Sequence, residues 1–167
     1  RYLRQMQEMF PQAKFEIGDF FQMSNRHLFD IIVFSRSLHH FEGNVQGMKL
    51  ALDQAANLLV PNGRCLVIEP ASTCGLVHVA EEVRPERESL IHALRAMTRS
   101  CLVMTDFQSV ESSWQFADAE EFFAEFFGVE RGAPYPSMRK IVFEALGKRV
   151  GEKPLLISVK TNMFLLK

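Results

Sequence analysis

An α/β fold built on a largely parallel sheet is what this sequence predicts, and three observations predict it. Phe29 to Phe34 is an apolar run broken only by Asp30, the composition of a strand covered on both faces. From Asn44 to Leu59 the apolar positions Val45, Met48, Leu52, Ala55 and Leu59 recur at three- and four-residue steps, which gathers them on one face of a helix. Pro61, Asn62 and Gly63 stop that helix and turn the chain into a second short apolar run, Cys65 to Ile68, which ends at Glu69 and Pro70. Strand, helix and strand in this order make a βαβ unit, with a polar loop at the outer end of each strand.

The remaining elements follow from the same patterns. Leu3, Met6 and Phe10 share a helical face that Pro11 closes. Residues 71–117 are longer than a simple connection and read as a helical insertion, with one helix after Pro85 carrying Leu90, Leu94 and Met97 and a shorter one near Val79 to Val83. A long insertion at the carboxyl end of a sheet is where a lid would sit. Asp118 can cap a helix reaching Phe127, with Glu121 three residues on, and Ala119, Phe122, Phe123 and Phe126 form its apolar face before Gly128. That cluster, part of a total of fifteen phenylalanines, reads as core. Gly128 to Tyr135 is a candidate strand. Met138 to Leu146 is a short helix with Ile141, Val142 and Ala145 inward, or part of a hairpin arm. Lys153 to Lys167 is rich in strand formers and supplies an antiparallel strand.

Composition bounds the function. A chain of 167 residues with 47% hydrophobic and 23% charged residues is ordinary for one globular domain. A net charge of −1 gives no electrostatic case for nucleic acid or an anionic membrane. No apolar run is long enough to cross a bilayer, and no signal peptide precedes the first element. Three cysteines, Cys65, Cys74 and Cys101, are an odd number without CxxC spacing, and Cys65 sits in a buried strand, so reduced thiols and a cytoplasmic location are expected. The five histidines and three cysteines show no metal-ligand spacing, and no metal is expected.

FDIIVFSRSLHH at Phe29 to His40, LLVPNG at Leu58 to Gly63, and the strand end Glu69–Pro70 together resemble the central portion of class I S-adenosylmethionine-dependent methyltransferases of small molecules. FEIGDF at Phe15 to Phe20 is similar to that family's third strand and acidic turn. Motifs in the family's order and spacing cover roughly Arg1 to Pro70. The resemblance implies a Rossmann-like methyltransferase sheet, parallel with one antiparallel C-terminal strand, preceded in the family by a glycine-rich turn and a ribose-binding carboxylate. None of the nine glycines here forms a GxGxG-like cluster, and the sequence reads as starting partway through the helix after the second strand, with the N-terminal βαβ portion, about 60 residues, absent. The strands at Phe29, Cys65 and Leu155 to Leu166 are therefore expected to pair as one sheet, with Phe15 to Gly18 isolated from it.

The same resemblance implies S-adenosyl-L-methionine as cofactor. Asp19 matches the acid that accepts the adenine amino group, and Phe20 the position beside it; the alternative is that Asp19 only caps a turn. Ser35, Arg36 and Ser37 occupy the turn passing the methionine part, and they depart from the Asn/Asp-Pro-Pro-aromatic turn of amino-group and base methyltransferases. An oxygen or carbon of a small-molecule substrate is the implied acceptor. His39 and His40 are candidates for taking a proton from it, the alternative being that one packs under the following helix. Glu69 ends a buried strand on the ligand-binding edge and either faces the pocket or bonds amides of the next loop. A catalytically inactive scaffold or dimerisation domain is the competing expectation, and a homodimer is a candidate assembly in either case.

Overall fold

The structure, a computed structural model, describes residues 2–24, 28–42, 44–81, 86–127 and 135–167. Helix α1 (Tyr2–Met9) precedes an extended segment and strand β1 (Phe29–Ser35). Helix α2 (Val45–Leu58) leads into β2 (Leu59–Pro70), then α3 (Gly75–Glu81) and α4 (Arg87–Met97). Strand β3 (Met104–Phe116), helices α5 (Ala119–Phe127) and α6 (Pro136–Leu146), and strand β4 (Leu155–Leu166) complete the order.

The strands form one sheet in the order β1-β2-β4-β3. Because β1 and β2 pair parallel while β4 pairs antiparallel with both β2 and β3, three strands run one way and β4 runs against them. The crossover between the parallel strands is α2, whose first orphan amides are met by Asn44 accepting the Gly47 N–H at 2.9 Å. The helix stops at Leu58. Pro61 to Gly63 do not form a separate turn but a register shift inside β2, between the pairs Phe29/Leu59 and Ile31/Arg64, with Asn62 at φ 70°.

One core lies under α2 and α4 and the other under α3, α5 and α6. Met48, Leu52 and Ala55 of α2 pack with Ala93, Ala96 and Met97 of α4 against Cys65, Val67, Phe164 and Leu166. On the opposite face, Leu76, Val77, Phe122, Phe123 and Val142 pack against Leu155, Ile157 and Val159. The change from odd to even positions along β4 follows from the alternation of side chains across a strand, so its two halves serve different faces.

Several expectations are corrected here. The insertion is helical through α3 and α4 but ends in β3, which is the antiparallel partner of the C-terminal strand. The candidate strand from Gly128 lies outside the described residues apart from Tyr135, which precedes α6. On α4 and α6, Leu94 and Ile141 face outward, and Ala93, Ala96, Val142 and Leu146 take the inner positions. The apolar run of β1 is covered on one face only: Phe34 is buried, whereas Ile31 and Val33 are 61% and 51% exposed. Phe15 to Gly18, which resemble a strand of the family, form none here and stay outside the sheet, the isolation expected of them, and Ile17 is 87% exposed. Among the described residues no helix is long and apolar enough to cross a membrane.

The cysteines are all free. Burial pushes the Cys65 thiol up to about 12, so almost no thiolate exists there near neutrality. Cys101 is exposed, and its thiol is also raised, first by partial burial of the sulfur and then by the Asp53 carboxylate, which accepts the Cys101 backbone N–H at 3.2 Å. Iodoacetamide at about pH 8 is therefore expected to alkylate Cys101 and spare Cys65, and Asp53→Asn to speed that alkylation by lowering the Cys101 pKa. Peptide mass spectrometry over time reads both; Cys65 reacting as fast as Cys101 would contradict the buried strand.

Candidate active site

At the carboxyl ends of the two parallel strands, β1 and β2 deliver their terminal side chains side by side. Ser35 pairs with Ile68 in the ladder, so the turn after β1 and the Glu69–Pro70 end of β2 are neighbours, although separated by more than thirty residues of chain. The turn after β1 tightens at once into a single 3-10 turn, Leu38–His40. It buries Leu38 and His39 and leaves His40 exposed.

His39 and Glu69 form a buried pair, each 3% exposed. The Nδ1 of His39 lies 2.6 Å from Oε2 of Glu69, and Oε1 accepts the His39 backbone N–H at 3.3 Å. Both carboxylate oxygens thus hold one residue, fixing the imidazole plane. The Nε2 of His39 is buried with no hydrogen-bond partner among the described residues. The His40 ring is tilted over it, centroids 3.9 Å apart.

A cavity of about 230 Å³ opens beside this pair. Arg36, His39, His40 and Pro70 form its sheet side; Leu76, Val77 and Ala80 of α3, Glu86 before α4, and Phe126 and Phe127 of α5 form the opposite wall. Part of the insertion therefore walls the cavity. Phe126, expected only in the core, reaches the cavity as well. The side-chain donor atoms of His39, His40 and Glu86 lie within 4.8 Å of one another, a grouping able to surround a metal ion that sequence spacing did not indicate. Glu86 comes from a different element 46 residues beyond His40, and only the fold brings it there.

The cofactor candidates divide into two groups. Arg36 lines the cavity with the histidines, and Ser35 is exposed at the end of β1. Asp19 and Phe20 lie elsewhere, beside a shallow depression bordered by Glu16, Ile17, Gly18 and Met23. Asp19 caps its own 3-10 turn, accepting the Phe21 N–H at 2.9 Å through Oδ1 and the Gln22 side chain at 3.0 Å through Oδ2. The Phe20 ring meets Phe34 and Phe41 edge-on, at 5.6 and 6.1 Å between centroids, and Gln54 of α2 donates to the Met23 carbonyl at 2.8 Å. These contacts dock the segment on the sheet without making it a strand.

No protein-family model matches the sequence, and no curated protein matches it. Solved structures do match. The YcgJ protein of Bacillus subtilis aligns with a TM-score of 0.64 at 16% identity, over 98% of this chain and 75% of that one. A Bacillus halodurans protein assigned as a methyltransferase gives 0.59 at 13% identity, over 89% of this chain and 68% of that one. This is the fold of the class I methyltransferases. The cyclopropane synthase MmaA2 of Mycobacterium tuberculosis shares it as well, with a TM-score of 0.52 at 13% identity over 98% of this chain and 65% of that one. At such identities the likeness is one of fold, and the chain spans about two thirds to three quarters of these methyltransferase-fold proteins. The four-stranded sheet with β4 antiparallel matches the architecture that the βαβ unit and the C-terminal tail predict.

Proposed function

We propose that these residues form the acceptor side of an S-adenosylmethionine-dependent methyltransferase acting on an oxygen or carbon of a small molecule. The buried His39–Glu69 pair carries this reading. With Glu69 ionised, its oxygen accepts the Nδ1 hydrogen, which leaves the lone pair of the imidazole on Nε2, the atom that has no partner among the described residues. An acceptor O–H or acidic C–H brought to Nε2 loses its proton there, and the electron pair released on the acceptor becomes the nucleophile. Glu69 then faces the imidazolium that results, so charge formed in the reaction meets a carboxylate already in place. When bound, the cofactor supplies an activated methyl group on a sulfonium. Alignment and exclusion of water do much of the remaining work, and the apolar wall of Leu76, Val77, Ala80, Phe126 and Phe127 provides for the second.

Asp19 and the Phe20 backbone would hold the adenine, and the backbone of the turn at Ser35 and Arg36 would flank the methionine end. The chemistry of this set fits the cofactor: a carboxylate for an amino group and backbone groups at a strand end. One observation favours a second reading, a scaffold with the same fold, because both Asp19 oxygens already serve its own turn. Calorimetry with S-adenosylhomocysteine on the protein in its full natural length separates the two. Asp19→Ala is expected to weaken binding by about 1.5–3 kcal/mol, the usual worth of a hydrogen bond to a charged group. Unchanged affinity, together with no transfer of labelled methyl to hydroxylated or enolisable small molecules, would favour the scaffold.

A further inference from the structure

We infer that the acceptor carries a carboxylate and that Arg36 is its receptor, an inference that rests on the methyltransferase reading and adds the substrate class. Three features of Arg36 point the same way. Its backbone is held at φ 50°, in the left-handed region that residues other than glycine seldom enter. That conformation is pinned, because the Arg36 N–H donates to the Ile68 carbonyl at 2.8 Å and so extends the β1–β2 ladder by one residue. Strain of this sort persists where the surroundings fix it, and here it lies at the cavity edge.

The second feature is what fixes the side chain. The Arg36 guanidinium carbon lies 4.4 Å from the centroid of the Trp114 ring, in β3 at the far side of the sheet. A cation–π contact uses none of the guanidinium N–H donors in a hydrogen bond, so the fork that meets a carboxylate through two parallel hydrogen bonds is not consumed by it. Third, this capacity is unused. Among the described residues the Arg36 side chain has Trp114 and no carboxylate; Arg64, Arg95 and Arg99 show no ion pair either, but of these only Arg36 lines the cavity.

Arg36 and His39 line one cavity whose opposite wall is aliphatic and aromatic. An acceptor with an apolar body and a carboxylate anchored at Arg36 would then lie in the cavity that His39 also lines.

Trp114 is the only tryptophan in the chain, so its emission reports on this stacked pair alone. The probes are benzoate, its neutral counterpart benzyl alcohol, S-adenosylhomocysteine, and methylthioadenosine, which lacks the amino-acid carboxylate. Benzoate is expected to change Trp114 emission saturably and to bind at least about tenfold more tightly than benzyl alcohol, as suits a charge-assisted bidentate contact. Arg36→Gln should abolish that preference with an unchanged circular dichroism spectrum. Arg36→Lys should restore only part of it, because the ammonium keeps the charge without the planar fork. Equal binding of benzoate and benzyl alcohol would overturn the proposal. So would Arg36→Gln weakening S-adenosylhomocysteine but not methylthioadenosine while sparing benzoate, which would give Arg36 to the cofactor. Benzoate binding needs no turnover, so benzoate held by Arg36 in a protein that transfers no methyl would overturn the methyltransferase reading alone.

Discussion

Glu69→Gln is expected to lower methyl-transfer turnover by roughly a hundred- to ten-thousandfold, the span usual for a lost general base, with little change in cofactor affinity. The substitution keeps the shape of the side chain and an oxygen able to accept from His39 Nδ1 at the present 2.6 Å. It removes the negative charge. Without that charge the imidazolium formed on taking a proton lies buried with no counter-ion, and the amide can instead donate to Nδ1 and move the imidazole hydrogen to Nε2. Glu69 acts through His39 and is a positioning residue, so kcat should fall while the acceptor KM stays within about threefold. His39→Ala should match the loss, and adding it to Glu69→Gln should cost little more, since residues acting as a unit are not additive. His40→Ala should cost less, its ring being exposed. Glu69→Gln with near wild-type kcat and an unchanged melting temperature would leave the pair a structural contact and remove His39 from the chemistry.

The parts of this fold that could be read in the chain are those whose periodicity is set locally. The β1–α2–β2 unit is such a part, because a buried strand and an amphipathic helix each write their own spacing. Strand β3 is the contrary case. Asp106, Gln108, Ser109, Glu111, Ser112, Ser113 and Gln115 leave no apolar alternation, and the strand is exposed along nearly its whole length. It is a strand because β4 offers a backbone ladder from Leu155 to Leu166, a partner that a local pattern cannot announce. The site divides in the same way. Strand ends marked His39 and Glu69 as candidates, but their pairing depends on the β1–β2 register. Which of two adjacent histidines turns inward is decided by the 3-10 turn at Leu38–His40. Trp114, Glu86 and Phe127 escaped notice because nothing near them in sequence carries chemistry; their meaning comes from what β3, α4 and α5 are packed beside.

Phe122→Ala is expected to destabilise the protein by about 3–5 kcal/mol, a large part of the ~5–15 kcal/mol by which a domain is stable. Phe122 is fully buried in the core beneath α5, so truncation loses its transfer free energy and leaves a void that Leu155, Ile157 and Val142 cannot fill from fixed backbone positions. Ring packing adds to the loss. Phe116 meets Phe122 edge-on at 5.1 Å, and Phe126 stacks on it at 5.5 Å. The second contact ties stability to function, because Phe126 in turn packs edge-on against Phe127 at 4.9 Å and both rings wall the cavity. Benzoate affinity is therefore expected to fall in Phe122→Ala under conditions where the variant remains folded. Phe122→Leu should recover most of the stability and less of the binding, since a leucine fills volume without offering a ring face. Ile17→Ala, at an exposed position, serves as the control and should shift stability by no more than about 0.5 kcal/mol. Urea unfolding followed by circular dichroism measures all three variants. A loss below about 1 kcal/mol for Phe122→Ala would mean that α5 is not packed on the sheet as described, and the cavity wall would fall with it.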